Sequence, residues 1–394
     1  MEATLQRVFR DGFESYAATR KLPLKHHKAA HAIMRCRTEE QGGHECRCPD
    51  GHEGYVEYHS CRHRSCPKCS SQPKAEWAEK QFDRLLPVDH YHVIFTLPHE
   101  LLNVWRYNQK WFANTFFQVV NATLMTLMKD KKHLGAQPGT LMSLHTWGRN
   151  LTLHPHIHCL VTGGGLTDEG EWKKCKNHYL LPGRVVSSLY RGLFLAALWR
   201  GVKRGEINLA GGDTQALEYS LKAVGKKKWN VRIQPPYDHG EGVMKYIARY
   251  VKGGPISNHR IRFADTQRVI FCYRDHRDGK EKEQILGRDC FISRVLEHVA
   301  EPHQHVIRHY GLYGHHAKEK REQCQERLGH SVQRHNKHEE KAEKCCSVCG
   351  QILIRGREWV KNSLYKVSTR GYVQHTDEPD MANVFHFGRP SDMT

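Results

Sequence analysis

Residues 151–166, LTLHPHIHCLVTGGGL, put His154, His156 and His158 at alternating positions of an apolar run. In a strand these positions share one face. The run is short, β-branched at Thr152, Ile157, Val161 and Thr162, and closed by Gly163, Gly164 and Gly165, which favours a strand. His156 and His158 would then point two imidazoles at one ion; the alternative is strand histidines satisfied by their neighbours. A second pattern follows at residues 244–254, MKYIARYVKGG, where Tyr246 and Tyr250 lie four apart. That spacing stacks them on one face of a helix ending at a glycine pair. Adjacent Lys245, Arg249 and Lys252 could hold phosphates and lower a phenol's pKa.

A third concentration of chemistry lies near the start. Cys36, Cys46, Cys48, Cys61, Cys66 and Cys69 crowd into the first fifth of the chain. The CPKC at Cys66 to Cys69 is a turn presenting two thiolates, half of a tetrahedral zinc site, and CRCPDGH from Cys46 to His52 can supply the rest. The candidate zinc ligands are Cys48, His52, Cys61, Cys66 and Cys69, with the fourth position open between His52 and Cys61. Cys36, His44 and Cys61 could belong to a second ion. Near the other end CCSVCG (Cys345, Cys346, Cys349) reads as half a zinc knuckle with no identifiable partner thiols.

The elements that must position these groups can be read along the chain. Helical segments at 5–12 and 24–34 lead into a zinc module to about residue 75, and a charged helix at 74–86 links it onward. The strand YHVIFTL begins the next domain, followed by an amphipathic helix at 110–128, the histidine strand, helices at 185–202 and 215–224, a strand at 229–233 and the tyrosine helix. Residues 260–263 and 268–273 form an antiparallel pair. Strands flanked by helices fit an α+β sandwich with one catalytic sheet face. The expected domains are 1–75, 85–315 and a charged region, 316–394. The mix around Trp229 (GKKKWNVRIQ) is either a patch for stacking a nucleic-acid strand or an ordinary exposed turn.

Composition narrows the partners. With 61 Lys plus Arg against 42 Asp plus Glu the formal charge is +19, an excess that favours a polyanion. The basic residues run the whole length, as a phosphate-tracking surface requires. The longest apolar run, LFLAALW, is too short for a bilayer and the start carries no secretory segment, so a cytoplasmic, nucleoid-associated protein with no membrane partner is expected. In that compartment 14 cysteines argue for metal sites and free thiols.

The chain resembles the two-tyrosine HUH transposases of rolling-circle insertion sequences, the IS91 group. His156-Ile157-His158 matches the family's H-U-H motif, with U apolar, and YIARYVKGGPISNHRI matches its tyrosine helix. SCRHRSCPKCS, HVIFTLPHEL, HPHIHCLVTGGGL and FISRVLEHVAEPHQHVIRHYGLYG follow in the family's order, so the likeness covers roughly residues 10–350. It departs where the family commonly has a second C-x-x-C: here Cys48 is followed by Gly51 and His52. The resemblance implies an HUH endonuclease sandwich, an antiparallel sheet with helices, preceded by a small zinc-binding module. It implies that His156 and His158 hold magnesium or manganese while Tyr246 and Tyr250 alternate as nucleophiles on single-stranded DNA at element ends and target. A third ligand is then expected, from His154, Glu100 or His99. Two other readings compete: a plasmid-type replication initiator or relaxase, and a non-catalytic zinc-dependent DNA-binding protein. The oligomeric state is not legible.

Overall fold

The computed structural model describes residues 3–52, 54–69, 72–209, 221–238, 241–246, 254–275, 277–329, 344–359, 366–367 and 373–374. The chain divides into a larger unit, Met1–Met34 with Arg62–Arg334, and a smaller one, Arg35–Cys61 with His335–Thr394. Both are α+β or β assemblies built on antiparallel pairing. In chain order the strands that matter are β1 (Gly43–Arg47), β2 (Tyr55–Tyr58), β3 (His90–Thr96), β4 (Gly139–Trp147), β5 (Leu153–Thr162), β6 (Gly164–Leu166), β7 (Trp172–Lys174), β8 (Val231–Tyr237), β9 (Ile261–Ala264), β10 (Arg268–Arg274), β11 (Glu281–Gly287), β12 (Ile307–Gly311) and β13 (Ile354–Trp359).

The larger unit is organised by a five-stranded sheet of order β12-β4-β5-β3-β8 in which every neighbouring pair is antiparallel. The histidine strand β5 is therefore central. Because side chains alternate, the sheet has two distinct faces. Tyr91, Val93 and Phe95 of β3, Met142 and Leu144 of β4, and Ile157, Cys159 and Val161 of β5 all join one apolar core. The helices Gln109–Lys129 and Gly183–Lys203 cover that face, contributing Phe112, Phe116, Val120 and Leu124 and Tyr190, Phe194 and Leu198. Tyr190 is the hub: its ring lies 5.1 Å from Phe95, 5.9 Å from Phe116 and 4.9 Å from Trp229. Trp229 is 1% exposed and its indole N–H donates to the Val224 carbonyl at 3.1 Å, so it is a core residue and not the strand-binding patch considered from sequence.

The interposed residues face the other way. On that side His90 and His92 of β3, His145 of β4 and His156 and His158 of β5 occupy one surface, with Leu141 and Leu160 in a smaller cluster that includes Val243, Tyr246, Leu312 and Tyr313. Pro155 has no N–H to offer a central strand. The ladder accommodates it by a register shift between His145 and Trp147 of β4, while the Pro155 carbonyl still accepts from Leu97 N at 3.0 Å. The glycine run after β5 does not stop the chain there. Gly164 pairs with Lys174 in the hairpin of β6 and β7, and Cβ atoms at Gly163, Gly164 and Gly165 would lie within 2.9 Å of the carbonyls of Asp89, Lys173 and Gln137.

Sequence expectation and structure agree closely on the helices at 24–35, 109–129 and 183–203, whereas the helix expected at 5–12 continues to Ala18. The predicted pair at 260–273 exists as β9 and β10, and a third strand, β11, extends it. β4 and β12 were not anticipated, and the expected helix at 215–224 falls largely outside the described residues. The smaller unit is a three-stranded sheet of order β13-β1-β2, so residues near both ends of the chain share it. Among the described residues no helix is long and apolar enough to cross a membrane.

The turn entering β5 carries a buried left-handed residue, Leu151, at φ 63°, a conformation costing about 1–2 kcal/mol for a residue with a Cβ. His298 secures it, with Nε2–H donating to the Leu151 carbonyl at 3.2 Å and Nδ1 placed to accept from Thr146 Oγ1 at 3.2 Å. Burial pushes His298 down to about 4, so between about pH 6.5 and 4 the unfolded chain binds a proton that the folded one does not. Stability must fall as pH falls through that window, by on the order of 3 kcal/mol from this residue. Urea unfolding at pH 7 and 4.5 is expected to show a smaller difference for His298→Gln than for the parent; parallel losses would assign the acid sensitivity elsewhere.

Candidate functional site

Register fixes the geometry of the histidine face. His145 of β4 lies directly opposite His156 of β5, and His158 is flanked by Ser143 on one side and Ile94 on the other. His92, two positions from Ile94, stands diagonally beside His158. One ring nitrogen from each of His145, His156 and His158 falls within 4.8 Å of the others, a grouping able to hold a metal ion. Among the third-ligand candidates weighed from sequence, Glu100 is engaged by Lys227, and His154 and His99 lie beside each other with ring centres 5.8 Å apart. The third imidazole is His145. Its signal was present in SLHTWGRNLTLHPH, where a short Gly-Arg-Asn turn makes His145 the hairpin partner of His156.

Hydrogen bonds assign the tautomers. The Gln234 amide oxygen accepts from Tyr237 Oη at 3.3 Å and lies 3.1 Å from His92 Nδ1, which must therefore donate to it. Burial pushes His92 down to about 4, so at neutral pH its Nε2 accepts, and the partner 2.8 Å away is His158 Nδ1–H. This turns His158 Nε2 toward His156. His156 Nδ1–H likewise donates to the His154 carbonyl at 2.6 Å, which turns its Nε2 inward. The two Nε2 atoms lie 3.1 Å apart. Burial, then His145, drives His156 down to about 3 and His158 well below its ordinary range, so neither is protonated at physiological pH. Neutral imidazoles oriented by hydrogen bonds and grouped with His145 are a donor set able to hold a metal ion.

The tyrosine helix meets this face. Within the helix Glu241–Tyr246, Tyr246 is 2% exposed, and its ring stands edge-on to His92 with centres 4.8 Å apart and 6.0 Å from Tyr237. Arg249, Tyr250 and Lys252 lie outside the described residues, and of Lys245 only the backbone is described.

Residues 139–322, which span His145 and Tyr246, match the family model described as "Putative transposase", and residues 8–97 match the "Transposase zinc-binding domain" model. Over 334 residues the chain is 36% identical to the "Putative transposase y4qJ" of Sinorhizobium fredii (strain NBRC 101917 / NGR234), covering 82% of this chain and 84% of that protein. The chain belongs to the IS91 family of transposases. It is also 29% identical over 287 residues to the transposase for insertion sequence element IS801 of Pseudomonas savastanoi pv. phaseolicola, covering 71% and 68% of the two chains. No solved structure matches it. As a transposase it is an endonuclease and strand transferase acting on DNA, and the zinc-binding domain makes zinc its structural metal.

The transposase's cysteines fall in both units. In the larger, Cys66 is buried and Cys69, whose N–H donates to the Cys66 carbonyl at 3.1 Å, closes the CPKC turn. In the smaller, Cys48 and His52 group with Cys346 and Cys349, while His44 groups with Cys46 and Glu57; Cys36 and Cys61 belong to this unit too. The knuckle thiols left without partners at the sequence level are thus half of a four-residue group.

Gln234→Leu removes the acceptor that fixes His92, and through it His158, while preserving shape. In manganese titrations followed by electron paramagnetic resonance, affinity is expected to weaken roughly 10–100-fold with the fold retained. Unchanged affinity would show that the tautomer chain does not prepare the site.

Proposed function

We propose that this transposase nicks and joins single-stranded DNA through a 5′-phosphotyrosine intermediate during rolling-circle transposition of an insertion sequence. The observation that carries the reading is the grouping of His145, His156 and His158, with one ring nitrogen of each within 4.8 Å of the others, and Tyr246 packed against His92, which orients His158. Magnesium or manganese bound there would polarise a non-bridging phosphate oxygen. Three imidazoles without a carboxylate favour manganese over magnesium.

The chain's own residues would do the rest. His92 and the His154 carbonyl hold the imidazoles in the tautomers that turn their Nε2 atoms toward each other. The Tyr246 oxygen forms a bond to phosphorus as the bond to the 3′-oxygen breaks, leaving a 3′-hydroxyl and a phosphotyrosine whose energy is kept for joining. At 2% exposure the phenol must be uncovered for the strand to reach it. Tyr250 is the second nucleophile, allowing a cut at the target while Tyr246 is occupied, and Lys245, Arg249 and Lys252 contact the phosphates. Of the alternatives, a plasmid-type initiator or relaxase would share this chemistry, but both relatives are named as transposases. The grouping of His145, His156 and His158 beside Tyr246 favours a catalytic protein over a non-catalytic binding protein.

Incubated with a single-stranded oligonucleotide carrying the element's end and manganese, the protein should become covalently joined to the 5′-phosphate of the fragment lying 3′ of the cut. His156→Ala with His158→Ala should abolish the adduct and spare DNA binding, which rests on phosphate contacts elsewhere; equal cleavage in excess chelator would end the metal role. Tyr246→Phe and Tyr250→Phe should each lower transposition severely, and only the double variant should lose all adduct. Normal transposition by either single variant would make that tyrosine structural.

A further inference from the structure

We propose that Cys48, His52, Cys346 and Cys349 bind one structural zinc ion, which ties the C-terminal segment to the N-terminal zinc-binding region. The inference is independent of the proposed nuclease mechanism. Cys346 and Cys349 lie beyond both segments that match a family model, 8–97 and 139–322.

The geometry is that of a tetrahedral site. All four ligand atoms lie within 4.8 Å of one another. Cys48 Sγ is 3.4 Å from Cys349 Sγ, although the two residues are 301 apart in sequence, and 3.5 Å from His52 Nδ1. Sulfurs sharing a zinc at about 2.3 Å are separated by about 3.8 Å, and none of these thiols is in a disulfide. The Cys346–Cys349 segment is folded as a knuckle: Val348 N–H donates to Cys346 Sγ at 3.4 Å, Gly350 N–H donates to the Cys346 carbonyl at 2.9 Å, and Gly350 takes φ +75°, which an L side chain rarely adopts. β13 follows the knuckle and pairs with β1, which runs directly into Cys48, with Cys46 opposite Arg355. Backbone pairing therefore delivers both half-sites to the same end of the sheet.

The smaller unit also lacks an apolar core to hold that sheet. Among its described residues the buried apolar side chains are Cys36, Cys46, Cys48 and Cys346, whereas Tyr55, Val56, Tyr58, Val348, Ile352 and Ile354 are between 38% and 71% exposed. Three strands this bare cannot offset the chain entropy they cost. A zinc site supplies folding free energy on binding, and three thiols with one imidazole are a donor set that selects zinc.

The test uses the full-length protein. Elemental analysis should show that Cys346→Ser and Cys349→Ser each hold one zinc equivalent fewer than the parent, as Cys48→Ser does, while His52→Cys retains it. With cobalt in place of zinc, His52→Cys should shift the charge-transfer bands to those of a four-thiolate site. Because a serine variant can simply misfold, the parent is also titrated with chelator in the presence of a maleimide and mapped by mass spectrometry. Cys48, Cys346 and Cys349 should become labelled together, in step with loss of one zinc, whereas exposed Cys345 labels before any chelator is added. Full zinc content in Cys346→Ser and Cys349→Ser, labelling of Cys346 and Cys349 in the zinc-loaded chain, or a Cys48–Cys349 disulfide in the native protein would each overturn the proposal.

Discussion

His156 and His158 hold their Nε2 atoms 3.1 Å apart, and much of the larger unit serves to keep them there. A side chain free to rotate could turn away or take a proton. Rotation is blocked because each outer nitrogen is committed, that of His156 to the His154 carbonyl and that of His158 to His92. Protonation is blocked because burial penalises the cation. Such fixed orientation is what preorganised sites share: the cost is met in folding, and the donor atoms are aimed in advance.

That commitment requires a rigid sheet, and the rigidity comes from the opposite face. Alternation sends every second residue of β3, β4 and β5 into an aromatic core around Tyr190 and the intervening residues into the histidine face. A slip of one residue in β5 would exchange the two sets and bury imidazoles among phenylalanines. Register is thus fixed by hydrophobic burial on one side, and the histidine face inherits its precision without contributing much apolar contact of its own. The bulge near Pro155 and the left-handed Leu151 restrict this regularity to the stretch where it is needed, since both lie just before His156.

The histidine strand, the long helices and the general architecture were legible because each has a strong local signature: alternation around His156 and His158, or a helical period of phenylalanines at 112 and 116. The residues that complete the site were less so. His145 sits on β4, whose apolar residues Leu141, Met142 and Leu144 fall on both faces and blur the alternation. His92 belongs to a strand read correctly, but its role depends on standing diagonal to His158, a relation set by pairing between strands 66 residues apart and not by local pattern. Trp229 misled because lysines precede it; only packing against Tyr190 and Phe194 shows that its ring faces inward. The C-terminal knuckle illustrates the same limit most plainly, since its nearest partner in space, Cys48, is 301 residues away in sequence.

The two kinds of metal-binding group follow from two different structural needs. In the larger unit a full aromatic core already holds the sheet, so its three imidazoles need contribute nothing to folding. In the smaller unit the described residues offer almost no apolar burial, and Cys48 and Cys346 are buried where a core would otherwise be. Softness separates the two donor sets: thiolates bind zinc more tightly than imidazoles do, so a thiol-rich group competes for zinc ahead of a histidine one. Segregating sulfur from the histidine face is therefore more than a matter of packing. A single thiol among His145, His156 and His158 would make that donor set softer, and Cys159, the one cysteine adjoining them in sequence, points to the opposite face of β5 and lies fully buried in the aromatic core.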